Sequence, residues 1–272
     1  MSVIVPTRDR GDLLREAVES VFAQTLVPSE LIVVDDRSSD ATAELVSELA
    51  QSSPFPISIL RSPRRGAAAA RNAGIARARF PLVAFLDDDD LWQPGKLAAQ
   101  VAFLEQRSEV GLLACEWEVF GPGLAAALSR RKAPKDRRLP LARFCVKNPI
   151  ATSGVIVRRE CLREVGGFDE SLPLAQDWDL WLRVASRWPA YQLGEPLVRY
   201  RSHPGRCSLQ RGRLRRCENQ LLEKAWRELG AVGWRPRLLL HWRLLWSRYR
   251  LARQRRRERF EVDMGDARRE AI

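Results

Sequence analysis

Histidine and cysteine are scarce in this chain: 2 His and 5 Cys among 272 residues. Cys115, Cys145, Cys161, Cys207 and Cys217 are scattered, odd in number and nowhere in a C-x-x-C arrangement. Neither a disulfide framework nor a zinc site is therefore expected, and the thiols read as reduced. Long apolar runs are missing as well. The most apolar late stretch, Leu238 to Trp246, is interrupted by His241 and Arg243, which argues against a membrane span there. The chain opens directly into Ser-Val-Ile-Val-Pro with no leader-like segment, so the cytoplasm is the expected address. Also lacking is an N-terminal Gly-rich, Lys-containing loop of the kind that cradles a triphosphate, which counts against a nucleotidyltransferase. No internal repeat is visible.

Positive charge is what the chain has in excess, and it is unevenly placed. Of a net charge of +12, a surplus of 11 lies from Arg206 to Ile272, with 19 Lys and Arg against 8 Asp and Glu; the rest of the chain holds 27 against 26. With 45% hydrophobic residues, the composition implies a near-neutral body with a sizeable core and a cationic C-terminal extension.

Along the body, short apolar runs alternate with helical spacing. Ser2 to Pro6, Leu31 to Val34, Ile57 to Leu60 and Leu82 to Leu86 read as strands. Between them Leu13 to Phe22, Leu45 to Leu49 and the small-residue stretch Ala67 to Ala78 read as helices. That alternation predicts an α/β fold with a mostly parallel central sheet flanked by helices. Pro94 to Gln106 reads as a helix and Val110 to Val119 as a strand, and Gly121 to Pro140 as a mobile surface loop. Thr152 to Val157 reads as a strand, Arg159 to Val165 as a helix closed by Gly166 and Gly167, and Asp177 to Arg187 as an aromatic-rich helix.

The fourth strand runs into four carboxylates, Asp87, Asp88, Asp89 and Asp90. Adjacent anions repel by roughly a few kcal/mol per close pair, and a divalent cation relieves that repulsion. Oxygen-only ligands without His or Cys nearby in the sequence suit a hard ion, Mg²⁺ or Mn²⁺. The competing reading is an acidic turn capping the next helix. A second acidic pair, Asp35 and Asp36, ends the second strand, so both sites fall at the carboxyl ends of parallel strands, where open α/β sheets bind ligands. Arg71, on the Ala-rich helix beside Asn72, offers a fork for phosphate oxygens.

Five segments in one order resemble family 2 glycosyltransferases: Ile4-Val5-Pro6-Thr7-Arg8-Asp9-Arg10, Glu30 to Asp40, Ala70-Arg71-Asn72-Ala73-Gly74, Phe85 to Trp92, and Gly166-Gly167-Phe168-Asp169-Glu170. The likeness covers residues 1–208 and stops at 209–272. It implies a Rossmann-like GT-A fold and inverting, metal-dependent transfer from a UDP- or dTDP-type sugar to an acceptor hydroxyl, in polysaccharide or glycolipid synthesis. It also assigns roles. Pro6, Arg8, Asp36 and Asp88 fall with the nucleotide-sugar contacts, joined by Arg71. Asp87 and Asp89 form the D-x-D pair at the metal, His203 is a candidate third ligand or phosphate contact, and Asp177 is the expected base. Gln176 stands where Glu is more usual, and Arg8 where an aromatic is common.

In the extension, Leu238, Leu239, Trp242, Leu245, Trp246 and Tyr249 gather on one helical face, with Arg243, Ser247 and Arg250 opposite. This basic amphipathic helix suits a peripheral position on an anionic membrane surface, which is the inner face of the cytoplasmic membrane for a cytoplasmic chain. A helix packed on the body, a homo-oligomer contact and, least favoured, nucleic acid are the alternatives. The rival for the whole chain is a catalytically inactive nucleotide-sugar fold serving as an adaptor through its basic tail.

Overall fold

The computed structural model describes residues 1–121, 135–203, 211–228 and 235–252. Its first half follows the expected alternation: β1 (Ser2–Thr7), α1 (Gly11–Phe22), β2 (Glu30–Asp35), α2 (Thr42–Ser52), β3 (Ile57–Arg61), α3 (Ala67–Arg77) and β4 (Leu82–Phe85). Then come β5 (Leu91–Trp92), α4 (Lys96–Glu105), β6 (Leu112–Phe120), β7 (Arg137–Leu139) and α5 (Leu141–Val146). The chain continues through a 3-10 turn at Thr152–Gly154, β8 (Ile156–Arg158), α6 (Arg159–Val165), α7 (Gln176–Ala185), β9 (Ala190–Arg201), α8 (Arg211–Glu228) and a last helix, α9, over 235–252.

The strands form one sheet in the order β3-β2-β1-β4-β8-β6-β9-β5, with β7 also on β9. Alternate residues of the buried strands feed two cores. Ile4, Ile32, Val34, Val83 and Phe85 face one side, with α3, α5, α6 and α7; Val3, Val5, Leu31, Val33 and Ala84 face the other, with α1, α2 and α4. Helix α3 sits close on β1 because it is built of small residues. A Cβ on Gly74 would lie 2.5 Å from Ile4 Cγ2.

The sheet is less parallel than expected. Strands β1 to β4 pair in parallel, as do β6 and β9, but β8 runs antiparallel to both β4 and β6, and β5 and β7 run antiparallel to β9. Helices α4 to α7 lie among strands β5 to β9, but among the described residues only β6 and β9 of these strands pair in parallel, so the right-handed βαβ rule that fixes the first half has little hold there. Of the expected surface loop, 122–134 lies outside the described residues, while Arg137–Leu139 is a strand on β9. Residues Thr152–Gly154, read as strand, form the 3-10 turn that precedes β8.

The extension packs on the body through a different face from the one its apolar residues suggested. Leu240, Leu244 and Ser247 are buried, and Leu221, Leu222, Ala225, Leu240 and Leu244 join the core around Trp178 and Trp181. Arg243 donates from Nε to the Val146 carbonyl over 2.7 Å. Of the six apolar residues named above, Leu239 is partly buried and the other five are exposed. The periodicity located an apolar stripe correctly; it carried no information about the two leucines on the opposite side that find partners.

Candidate active site

The crevice lies where β1, β2 and β4 end and α3 and α7 begin. Its backbone is unusual. Asp9, Arg37 and Ala175, the non-glycine residues with positive φ among the described residues (49°, 62° and 60°), follow β1, follow β2 and precede α7 respectively. Such conformations cost on the order of 1 to 3 kcal/mol each and persist where surroundings over-determine them. Here cross-links do so. Asp9 Oδ1 accepts from the Ser39 amide at 2.6 Å, and Ser38 Oγ accepts from the Asp9 amide at 3.0 Å.

The four carboxylates after β4 diverge. Asp87, Asp89 and Asp90 each bring an oxygen within 4.8 Å of the others, a hard, all-oxygen set that fits Mg²⁺ or Mn²⁺. Asp87 Oδ1 accepts from Arg71 Nη2 at 2.5 Å. Asp89 Oδ2 lies 2.9 Å from His203 Nε2 and 3.1 Å from Arg10 Nη1. Asp90 is held by Ser153 Oγ (2.6 Å) and the Arg201 amide (3.0 Å). Asp88 turns toward β1, accepting from Thr7 Oγ1 at 2.8 Å and from Arg10 at 3.1 Å. Burial, opposed by Arg10 and reinforced by Asp89, pushes its carboxyl up to about 6.

Arg71 is buried, with its guanidinium 5.5 Å from the Phe168 ring centre. Its Nε and Nη1 have no hydrogen-bond partner. Two orphaned cationic donors beside an aspartate cluster suit a bound anion, since unmet buried donors are costly. Asn72 fixes the ring beneath Arg71: it accepts from the Phe168 amide at 2.8 Å and donates to the Phe168 carbonyl at 2.9 Å. The third and fifth motifs thus meet across 96 residues.

Asp177 stands on the first turn of α7, where its Oδ2 accepts from Asn148 Nδ2 (2.8 Å) and Thr152 Oγ1 (3.2 Å). Its side chain keeps partial solvent access but is enclosed by protein. That desolvation raises its pKa, with the charge of Asp87 adding and that of Arg71 opposing. Asp179, two residues on, faces away from the crevice. It is buried and paired with Arg183 at 2.6 Å and Lys224 at 3.1 Å, so it anchors α8 to α7.

The structure therefore brings Arg71, Asp87, Asp89, Asp177 and His203 toward one crevice, with Asp88 on its floor. Asp36 is also buried there, but its two oxygens accept from the Gly66 amide at 2.9 and 3.0 Å, tying β2 to the start of α3. Pro6 is buried in β1, in register with Val34, whereas Arg8 is exposed and lies 3.4 Å from Asp9. Sequence reasoning missed Arg10, Asn148, Thr152, Ser153 and the inward turn of Asp90. Arg10 was legible in the first motif; the others carry no local signal, because their roles arise from contacts 25 to 63 residues apart.

The chain is similar to known glycosyltransferases in sequence and in fold. The family model for glycosyl transferase family 2 matches residues 2–166, and that for glycosyltransferase-like family 2 matches 137–225. An uncharacterized glycosyltransferase of Nostoc is 31% identical over 186 residues, 66% of this chain and 56% of its own length. The putative colanic acid biosynthesis glycosyl transferase WcaA of Escherichia coli is 31% identical over 72% of this chain and 68% of its own. Among solved structures, a Pyrobaculum calidifontis mannosyltransferase in complex with GDP-Man and Mn²⁺ shares the fold at a TM-score of 0.65 and 23% identity, covering 98% of this chain and 79% of that one. The chain spans only about half the length of the Nostoc relative. By the match over 2–166 and the likeness to WcaA, the chain belongs to glycosyltransferase family 2.

Proposed function

We propose that the protein is an inverting glycosyltransferase that moves a sugar from a nucleoside diphosphate donor to an acceptor hydroxyl in surface polysaccharide synthesis, with Asp177 as the base. The observation that carries this reading is the proximity of two opposed functions. The Arg71 and Asp87 ion pair lies near enough to Asp177 to bias its protonation in both directions. A cation and a metal-fitting carboxylate set at the leaving diphosphate, facing a carboxylate with a raised pKa, are what a single displacement needs.

Asp87, Asp89 and Asp90 would hold the divalent ion, with His203 beside Asp89, and the ion would neutralise charge on the departing diphosphate. Arg71 would do the same through its two unpartnered donors. Asp177 would accept the proton of the attacking hydroxyl, held in orientation by Asn148 and Thr152. No covalent enzyme intermediate is needed. The polysaccharide context rests on the name of the WcaA relative; the GDP-Man and Mn²⁺ of the archaeal structure fit a diphosphate donor and a metal. The test is a panel of nucleotide sugars with Mn²⁺, the anomeric configuration of the transferred sugar being read by NMR. Inversion supports the reading. Retention, or no transfer or donor hydrolysis with any sugar, refutes it.

A further inference from the structure

Helix α9 presents to solvent the face that ordinarily packs a helix down. Leu238, Trp242, Leu245, Trp246 and Tyr249 are 49%, 63%, 44%, 51% and 61% exposed, while Leu240 and Leu244 beneath are 0% and 6%. With 100° per residue, the five exposed side chains fall on an arc opposite the two buried leucines. Residues 235–252 include five arginines and no acidic residue. Arg237 and Arg248 fall on one flank of the arc and Arg243 and Arg250 on the other, with Arg235 inside it. Arg243 and Arg250 lie against the Trp246 ring, at 5.0 and 4.4 Å from its centre. Arg248, on the other flank, reaches back to Glu223 at 3.0 Å.

We propose that this face is a docking surface for an anionic lipid bilayer, on which α9 lies in the plane of the interface with Leu238 and Leu245 at the acyl boundary and Trp242, Trp246 and Tyr249 at headgroup level. Two physical arguments select this occupant. Arg243 pairs with Glu218 at 3.2 Å and Arg237 lies over the Trp226 ring, but a second copy of the chain, meeting the same face across a two-fold axis, would still set Arg235 and Arg250 against their own copies with no acidic residue of α9 between them. A nucleic acid would satisfy the arginines and leave Leu238 and Leu245 with nothing apolar to cover them. An anionic interface takes both: apolar side chains enter the acyl boundary, Trp and Tyr sit at headgroup level and arginines meet lipid phosphates. Leu240, Leu244 and the Arg243 bond to Val146 fasten the helix to the body, so the body is held at the surface. No described helix is long and apolar enough to cross a membrane, consistent with lying on it.

The test uses the full chain and vesicles of phosphatidylcholine with or without phosphatidylglycerol, read by flotation and by tryptophan emission. Binding is expected only with the anionic lipid at low salt, with a blue shift, and is lost in high salt and in the Trp242→Ser/Trp246→Ser double variant. Both tryptophans are exposed, so circular dichroism should be unchanged, and nucleotide-sugar transfer to a soluble acceptor should persist; the result is thus independent of the catalytic reading. No flotation at low salt, equal flotation of the double variant, or self-association or oligonucleotide binding through this face in place of vesicles would each overturn the proposal.

Discussion

Asn148 Nδ2 donates to Asp177 Oδ2 over 2.8 Å, linking the loop after α5 to the first turn of α7. The bond holds the carboxylate in one orientation and stabilises its charged form against the burial that raises its pKa. Replacing Asn148 with Ala should therefore raise that pKa further. The acid limb of the transfer profile should move to higher pH, since a base works only above its pKa; a pH series of kcat/KM on both proteins checks this.

Asp177→Asn keeps the shape and would remove the proposed proton acceptor. Transfer should fall by about 10²- to 10⁴-fold while nucleotide affinity is unchanged. Steady-state kinetics with nucleotide titration separates the two.

Arg71→Ala should lower transfer by about 10²- to 10³-fold, comparable with losing one preorganised donor to a developing charge. It also leaves Asp87 without its 2.5 Å partner, so the variant should be checked for unchanged secondary structure by circular dichroism.

The first four parallel strands and the helix ending at Gly166 were legible because each strand is a short run dominated by apolar residues and Gly166, with φ of 83°, accepts the left-handed conformation that stops a helix. β9 was not. Its run carries Gly194 and Pro196, which read as breakers, and the strand tolerates them because the ladder with β6 shifts register opposite Glu116 and Trp117. Within the site, carboxylates at strand ends were readable one by one. Ser153, which bonds Asp90 from 63 residues away, was not, because a lone serine has no periodicity to betray it.

Lys96 is wholly buried beneath Trp92, its Nζ 2.6 Å from Gln100 Oε1 and 4.1 Å from the indole centre. Burial lowers its pKa from 10.5 to about 8. Below pH 8 it is charged in both folded and unfolded chains and costs about 3 kcal/mol of stability. Between pH 8 and 9, below the point where the buried thiols of Cys115, Cys145 and Cys161 oppose it, the unfolded chain binds more protons at this lysine, so stability should rise with pH. Urea unfolding across that window should show the rise in the wild type and its absence in Lys96→Met.

Phe85, Phe168 and Trp181 form a mutual aromatic cluster with ring centres 5.4 to 5.9 Å apart. Trp181→Ala should cost about 3 to 5 kcal/mol. Because Phe168 carries Arg71, the variant should also weaken nucleotide binding, whereas a cavity elsewhere in the core would not.

The central claim is a metal-assisted site for a nucleoside diphosphate built on Asp89. Calorimetric titration of UDP, dTDP and GDP, with Mn²⁺ and with chelator, on wild type and Asp89→Ala tests it most directly. The account predicts that at least one nucleotide binds with metal, and that chelator or the substitution abolishes it. Binding of none of them, or metal-dependent binding that survives Asp89→Ala, would contradict it.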